Sequence, residues 1–183
     1  MILLELICST CLIIDLVTGI YGESILGFAY SPTDPVAFLS SNNLGQLYIE
    51  SPAQSQILAD GLAELSAFDY SFDEKLVFYV GVHQLQNTEA IYVIKAVNLT
   101  NLQIYNVFQL EHGVINALSI DWHNMMLYWA DFKEEYIAVG EINLGLLSII
   151  KHKILISSNL SNLKSICVDP IARFAGLLCS YLL

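Results

Sequence analysis

The stretch Ile115-Asn116-Ala117-Leu118-Ser119-Ile120-Asp121-Trp122, followed by Leu127-Tyr128-Trp129-Ala130-Asp131, decides how this sequence reads. A polar turn at His123-Asn124 separates the two runs, and an acidic turn at Glu134-Glu135 precedes a third, Tyr136-Ile137-Ala138-Val139. Short β-branched and aromatic runs bounded by turns predict antiparallel strands. Strand side chains alternate, so Leu127, Trp129 and Asp131 share one face and Tyr128 and Ala130 the other. Asp121 is suited to cap the turn after it, because a short carboxylate accepts backbone N–H bonds there.

Working outward, the same unit recurs. Ser119-Ile120-Asp121 is echoed by Ala67-Phe68-Asp69 before it and Cys167-Val168-Asp169 after it, with Asp69 52 residues upstream and Asp169 48 downstream. An aromatic strand follows the first two aspartates, at Val77-Phe78-Tyr79 and at Leu127-Tyr128-Trp129. Each then leads to a strand ending in Asn-Leu, at Ala96-Val97-Asn98-Leu99 and Glu141-Ile142-Asn143-Leu144. A weaker copy runs from Gly27-Phe28-Ala29-Tyr30 to Leu47-Tyr48-Ile49. Periods of about 40–50 residues with several strands each are the mark of propeller blades. A lone blade has two greasy faces, and stacking hides them, with Leu127 and Trp129 in the expected core.

The segment from Ile115 through Leu127–Asp131 to Gly145 resembles the YWTD repeat, the class B repeat of the low-density-lipoprotein-receptor family. That pattern reads Leu-Ala-Val-Asp-Trp, then Leu-Tyr-Trp-Thr-Asp, then an Ile strand and Leu-Asp-Gly. Here Ala130 stands at the threonine, and Asn143-Leu144-Gly145 lacks the last aspartate. Ile154-Leu155-Ile156 looks like the family's third strand, and Val168-Asp169-Pro170 like the next repeat's start. Asp69, Asp121, Leu127, Tyr128, Trp129, Asp131, Gly145 and Asp169 are thus read as structural repeat-motif residues. The resemblance implies a partial YWTD-type β-propeller of about three to three and a half blades over residues 23–174, where the family closes six. Residues 175–183, Ala-Gly-Leu-Leu-Cys-Ser-Tyr-Leu-Leu, depart from the pattern and read as an atypical tail.

Composition agrees with stacked sheets. Of 183 residues, 55% are hydrophobic and 14% charged, with mean hydropathy +0.57, which excludes intrinsic disorder. Eighteen acidic against seven basic residues give a net charge of −11, the wrong sign for nucleic acid. Residues 1–22 combine apolar runs with small residues at Thr18, Gly19 and Gly22, and a secretory signal peptide is the favoured reading over a buried first strand or a mis-assigned start. Glu5 and Asp15 argue against a transmembrane helix. Asn98-Leu99-Thr100 and Asn159-Leu160-Ser161 are N-glycosylation acceptors consistent with secretion. Cys8 and Cys11 sit inside the apolar leader, so zinc or redox chemistry is not expected. Cys167 and Cys179 are the remaining thiols, a possible pair in an oxidising compartment.

No motif for phosphate, acyl or zinc-protease chemistry occurs. No catalytic, cofactor or metal residues are expected, and the chain reads as no enzyme. His83, His112, His123 and His152 are isolated in sequence. His123 is a candidate pH sensor, Asp131 with Glu134 and Glu135 a candidate acid/base or metal cluster, and Tyr128-Trp129 a candidate stacking platform. A solvated turn histidine, a solvated hairpin tip and core packing are the stronger readings. The resemblance implies part of an extracellular or plasma-membrane receptor ectodomain that binds protein or lipoprotein ligands, basic ones included, for endocytosis or signalling. Further blades and EGF-like modules of a longer chain would be its covalent neighbours. The alternatives are a nidogen-like matrix protein and, least favoured, a metal-dependent propeller hydrolase.

Overall fold

Runs of Val, Ile, Tyr and Phe that alternate with small or polar residues form strands in this computed structural model. It describes residues 24–29, 37–42, 46–51, 54–59, 65–71, 73–83, 90–110, 112–157, 160, 163–169 and 174–179. The chain divides into two compact units, 1–61 and 62–183. The first unit holds one antiparallel meander: β1 (Ser24–Ala29), β2 (Ala37–Asn42), β3 (Gln46–Ser51) and β4 (Gln54–Ala59), in the order 1-2-3-4. The leader expected over residues 1–22, with Cys8 and Cys11, and the acceptor Asn159 lie outside the described residues.

The second unit holds two more sheets of the same kind and a hairpin. β5 (Leu65–Ser71), β6 (Leu76–His83), β7 (Ile91–Asn98) and β8 (Ile104–Gln109) make a second blade. β9 (Ile115–Asp121), β10 (Met126–Asp131), β11 (Tyr136–Asn143) and β12 (Ser148–Ile156) make the third, and β13 (Leu163–Asp169) pairs with β14 (Phe174–Cys179). The first strands neighbour one another, β9 lying against both β5 and β13. The fold is all-β, a partial propeller whose described residues give three four-stranded blades and a half-blade.

Each face of the third blade's sheet has its own neighbour. Leu118, Ile120, Leu127, Trp129, Ala138 and Ile142 bury against Phe78, Val80, Ile94, Ala96 and Val107 of the second blade. On the other face, Ala117, Ala130 and Ile137 bury with Leu160 and Ile166, and Tyr128 and Val168 pack beside them. The alternation read from Leu127 to Asp131 is therefore an alternation between two inter-blade cores.

Two details differ from expectation. Ile154-Leu155-Ile156 belongs to the exposed fourth strand β12, while the third strand is β11. Hydrophobicity misplaced it, because Ile154 and its neighbours are apolar but exposed. The boundary expected at residue 174 falls inside β14, where Phe174–Cys179 pairs along β13 in the position of an aromatic second strand. Backbone pairing needs no aromatic motif, so a segment of foreign composition still adds as a strand.

Candidate functional site

The hairpins of the second and third blades share one design. In all of them but β6–β7, where seven residues separate His83 from Ile91, four residues separate the paired positions and the last of the four is left-handed although not glycine. These are Lys75 (φ 52°), Leu102 (58°), Met125 (51°), Glu135 (52°) and Leu147 (46°). Such residues are uncommon in that region, and the surrounding turn bonds hold them there. Gly145 carries no positive φ, so the left-handed position of the β11–β12 turn belongs to Leu147 and not to the motif glycine.

Short polar side chains open these turns. Asp121 Oδ1 accepts the N–H groups of His123 (3.1 Å) and Asn124 (3.0 Å), and its Oδ2 accepts Asn124 Nδ2 (2.7 Å). Asn143 Oδ1 accepts Leu146 N–H (3.0 Å), and Asn98 Oδ1 accepts Thr100 N–H (2.8 Å). Asp131 Oδ1 takes Lys133 N–H (2.9 Å), Glu134 N–H (3.0 Å) and, from the segment entering β9, Val114 N–H (3.1 Å). Gly113 lies over that carboxylate with φ 116°, where a Cβ would collide with Asp131 Oδ2. The buried Asp131 therefore fastens two loops of one sheet. Its charge, after burial, helps push the Tyr136 phenol above its ordinary value.

Asp69 does something different. By strand register Ser71 faces Leu76 as Asp121 faces Met126 and Asp169 faces Phe174. The structural counterpart of Asp121 is thus Ser71, and Asp69 corresponds to Ser119, two residues from the place its sequence echo assigned. A two-residue slip keeps a side chain on its face, which is why the echo looked sound. Asp69 Oδ1 accepts Tyr70 N–H (2.8 Å), and its Oδ2 accepts Ile120 N–H (2.8 Å) and Ser119 Oγ–H (3.0 Å) from the next blade. Ser119 Oγ in turn accepts Val168 N–H (3.2 Å) from the half-blade. At equivalent positions the second and third blades each hand an oxygen to the first strand that follows. Burial raises the Asp69 carboxyl above the usual range, against the lowering effect of Ile120, Tyr70 and Ser119. Sequence reading missed this link, whose trace is the 50-residue spacing of Asp69 and Ser119.

The candidate chemical clusters do not assemble. Tyr128 and Trp129 point to opposite faces and cannot form one platform. Trp129, 1% exposed, packs with Phe108 (ring centroids 5.0 Å apart) and His152 (5.9 Å). Gly140 makes room, since a Cβ there would stand 2.7 Å from Ile149 Cγ2 and 3.1 Å from Trp129 Cζ3. Glu134 and Glu135 are exposed while Asp131 turns inward, so the three carboxylates do not converge. His123 is an exposed turn residue with its ring edge-on to Trp122. Among the described residues no group of three or more His, Cys, Asp or Glu side chains is placed to hold a metal ion. Cys167 faces Gly176 and Cys179 faces Leu163, four positions apart along β13. At strand rise that is roughly 13 Å, beyond disulfide reach. Asn98 sits on a hairpin rim beside exposed Thr100, and its cap uses Oδ1, not the Nδ2 that glycosylation modifies.

No known family model matches the chain. Solved structures resemble it at low identity. A chain of the nidogen–laminin complex superposes with a TM-score of 0.57 at 13% identity, covering 70% of this chain and 48% of that one. An auxiliary nutrient binding protein from Bacteroides thetaiotaomicron gives 0.61 at 8%, covering 83% and 35%. Kuenenia stuttgartiensis hydrazine synthase gives 0.57 at 10%, covering 79% and 55%. The chain thus spans between about a third and just over half of these structures, and what it shares with them is the β-propeller fold.

Proposed function

We propose that this chain is part of an extracellular propeller of the low-density-lipoprotein-receptor type, a binding module without enzymatic activity that takes up or signals through protein or lipoprotein ligands. The observation that carries the reading is the third blade. Its Leu127-Tyr128-Trp129-Ala130-Asp131 strand splits its side chains between two inter-blade cores and ends in a buried aspartate cap. Likeness to a chain of the nidogen–laminin complex supports the fold this needs. A charge of −11 suits basic protein ligands, whose encounter it speeds. Under this reading residues 1–22 direct secretion, Asn98 and Asn159 carry glycans, and further blades and EGF-like modules complete the receptor.

The test is expression of the full chain in secretory animal cells. Export with glycans at Asn98 and Asn159, together with saturable binding of a basic protein that weakens as salt rises, supports the proposal. Retention in the cytosol without glycans overturns it. The same likeness favours a second reading, a matrix protein that assembles with laminin. Binding to laminin without cellular uptake separates that reading from the receptor.

A further inference from the structure

We propose that the outer edge of β12 is a docking strand for an extended protein segment that alternates acidic and apolar residues, added to the third blade as a fifth strand. β12 ends the sheet order β9-β10-β11-β12, so one side of its backbone has no strand partner among the described residues. It is nine residues long, and everything from Ile150 to Ile156 is exposed, Ile154 at 57%. An exposed edge of that length is a template for strand addition.

Charge decides the occupant. The chain carries only seven Lys and Arg residues against a net charge of −11, yet two of them, Lys151 and Lys153, stand in this strand on either side of His152. Within the sheet Glu141 faces Lys151, whereas Lys153 faces Val139 and has no acidic residue opposite it. Pairing is interrupted on both flanks, between Ile137 and Ala138 and between Glu141 and Ile142, which leaves a regular run over Lys151–Ile154. A strand added there would set acidic residues opposite Lys151 and Lys153, and apolar residues beside Ile150 and Ile154. By comparison β8, the outer strand of the second blade, is six residues long and reads Ile-Tyr-Asn-Val-Phe-Gln, without charge.

A second copy of the same strand is a poor occupant. Antiparallel self-pairing centred on His152 sets Lys151 opposite the other copy's Lys153 twice, and like charges directly opposed are destabilising. An acidic partner strand turns the same positions into attractions and buries the exposed isoleucines.

The experiment offers the full chain a peptide of about eight residues alternating valine and glutamate, the length of an ordinary strand. Amide hydrogen exchange should slow at Lys151–Ile154, and fluorescence anisotropy should give saturable binding. The exposed double variant K151E/K153E should bind on the order of tenfold more weakly and gain binding to a valine–lysine peptide. N-methylating the amides along one edge of the peptide should abolish binding, since backbone pairing is what a fifth strand requires. Equal binding of both peptides by the unmodified chain, or no slowing of exchange at Lys151–Ile154 with millimolar peptide, overturns the proposal. It would leave the lysines as guards against edge-to-edge aggregation.

Discussion

The second and third blades solve one geometric problem with different residues. Where the third has Asp121, Trp129 and Asp131, the second has Ser71, Tyr79 and Gly81 at the same register positions. Asp121 gathers two backbone N–H groups and an amide, while the buried Ser71 hydroxyl has no hydrogen-bond partner among the described residues. The second blade contributes Asp69 instead, a carboxylate aimed at its neighbour and not at its own turn. What these two blades share is the four-stranded meander, its two buried faces and, in most of their hairpins, a left-handed fourth turn residue. Their letters are free to change where another bond takes over.

The comparison breaks first at Trp129. Trp129→Ala should cost about 3–5 kcal/mol, because it empties the core between the two blades. Urea unfolding would read this, and a loss under 1 kcal/mol would deny that the blades share a core. Tyr79→Phe should be mild at neutral pH. Burial holds the Tyr79 phenol proton up to about 12 from 10.0, so the native state binds more protons in that window. Its stability contribution is present below pH 10 and lost as pH rises toward 12, a slope the phenylalanine variant lacks.

Next in size is Gly113→Ala, expected to cost about 1–3 kcal/mol through left-handed backbone and collision with Asp131. Asp69→Asn should cost about 1–2 kcal/mol by weakening acceptance from Ile120 and Ser119. Its pH signature is distinctive. The unfolded carboxyl titrates near 3.8 and the folded one higher. The native state therefore holds more protons between the two values. Stability from this group is complete below 3.8 and declines as pH rises through the folded pKa, so the asparagine variant should show a flatter midpoint as pH rises above 3.8.

Smaller still, Asp121→Ala should lose about 1–2 kcal/mol, whereas Ser71→Ala should be neutral or slightly stabilising, because it deletes a hydroxyl that is buried without a partner among the described residues. Equal losses at the two sites would refute the division of labour between the blades. The smallest effect is expected at Gly145→Ala, within about 0.5 kcal/mol in thermal unfolding, since Leu147 carries the turn's left-handed backbone.

Legibility followed the same division. Local chemistry was readable: the strand alternation of Leu127–Asp131, the Asp121 cap and the recurrence of blades all rest on neighbours close in the chain. What escaped were relations between blades. The echo pairs Asp69 with Asp121 because each follows a large apolar residue, Phe68 or Ile120, and only the equal spacing of Ser71–Leu76 and Asp121–Met126 reveals the true phase. The apolar letters of β12 suggested an inner strand, but position within a sheet depends on which element arrives last, and no local pattern records that. Gly113 could not be singled out, since its need arises from a carboxylate 18 residues away.

The direction of the bonds between Asp69, Ser119 and Val168 has a consequence for synthesis. In both links the earlier blade supplies the side-chain oxygen and the later one a main-chain amide. As the polypeptide emerges, its growing end therefore presents hydroxyl and carboxylate groups that water solvates readily while the next module is still being made. The less forgiving partner, a peptide N–H about to be sequestered, is not committed until its acceptor already stands in place. Growth from the amino terminus is in this respect the safer order of assembly, and a circular permutant that reversed it should aggregate more while folding.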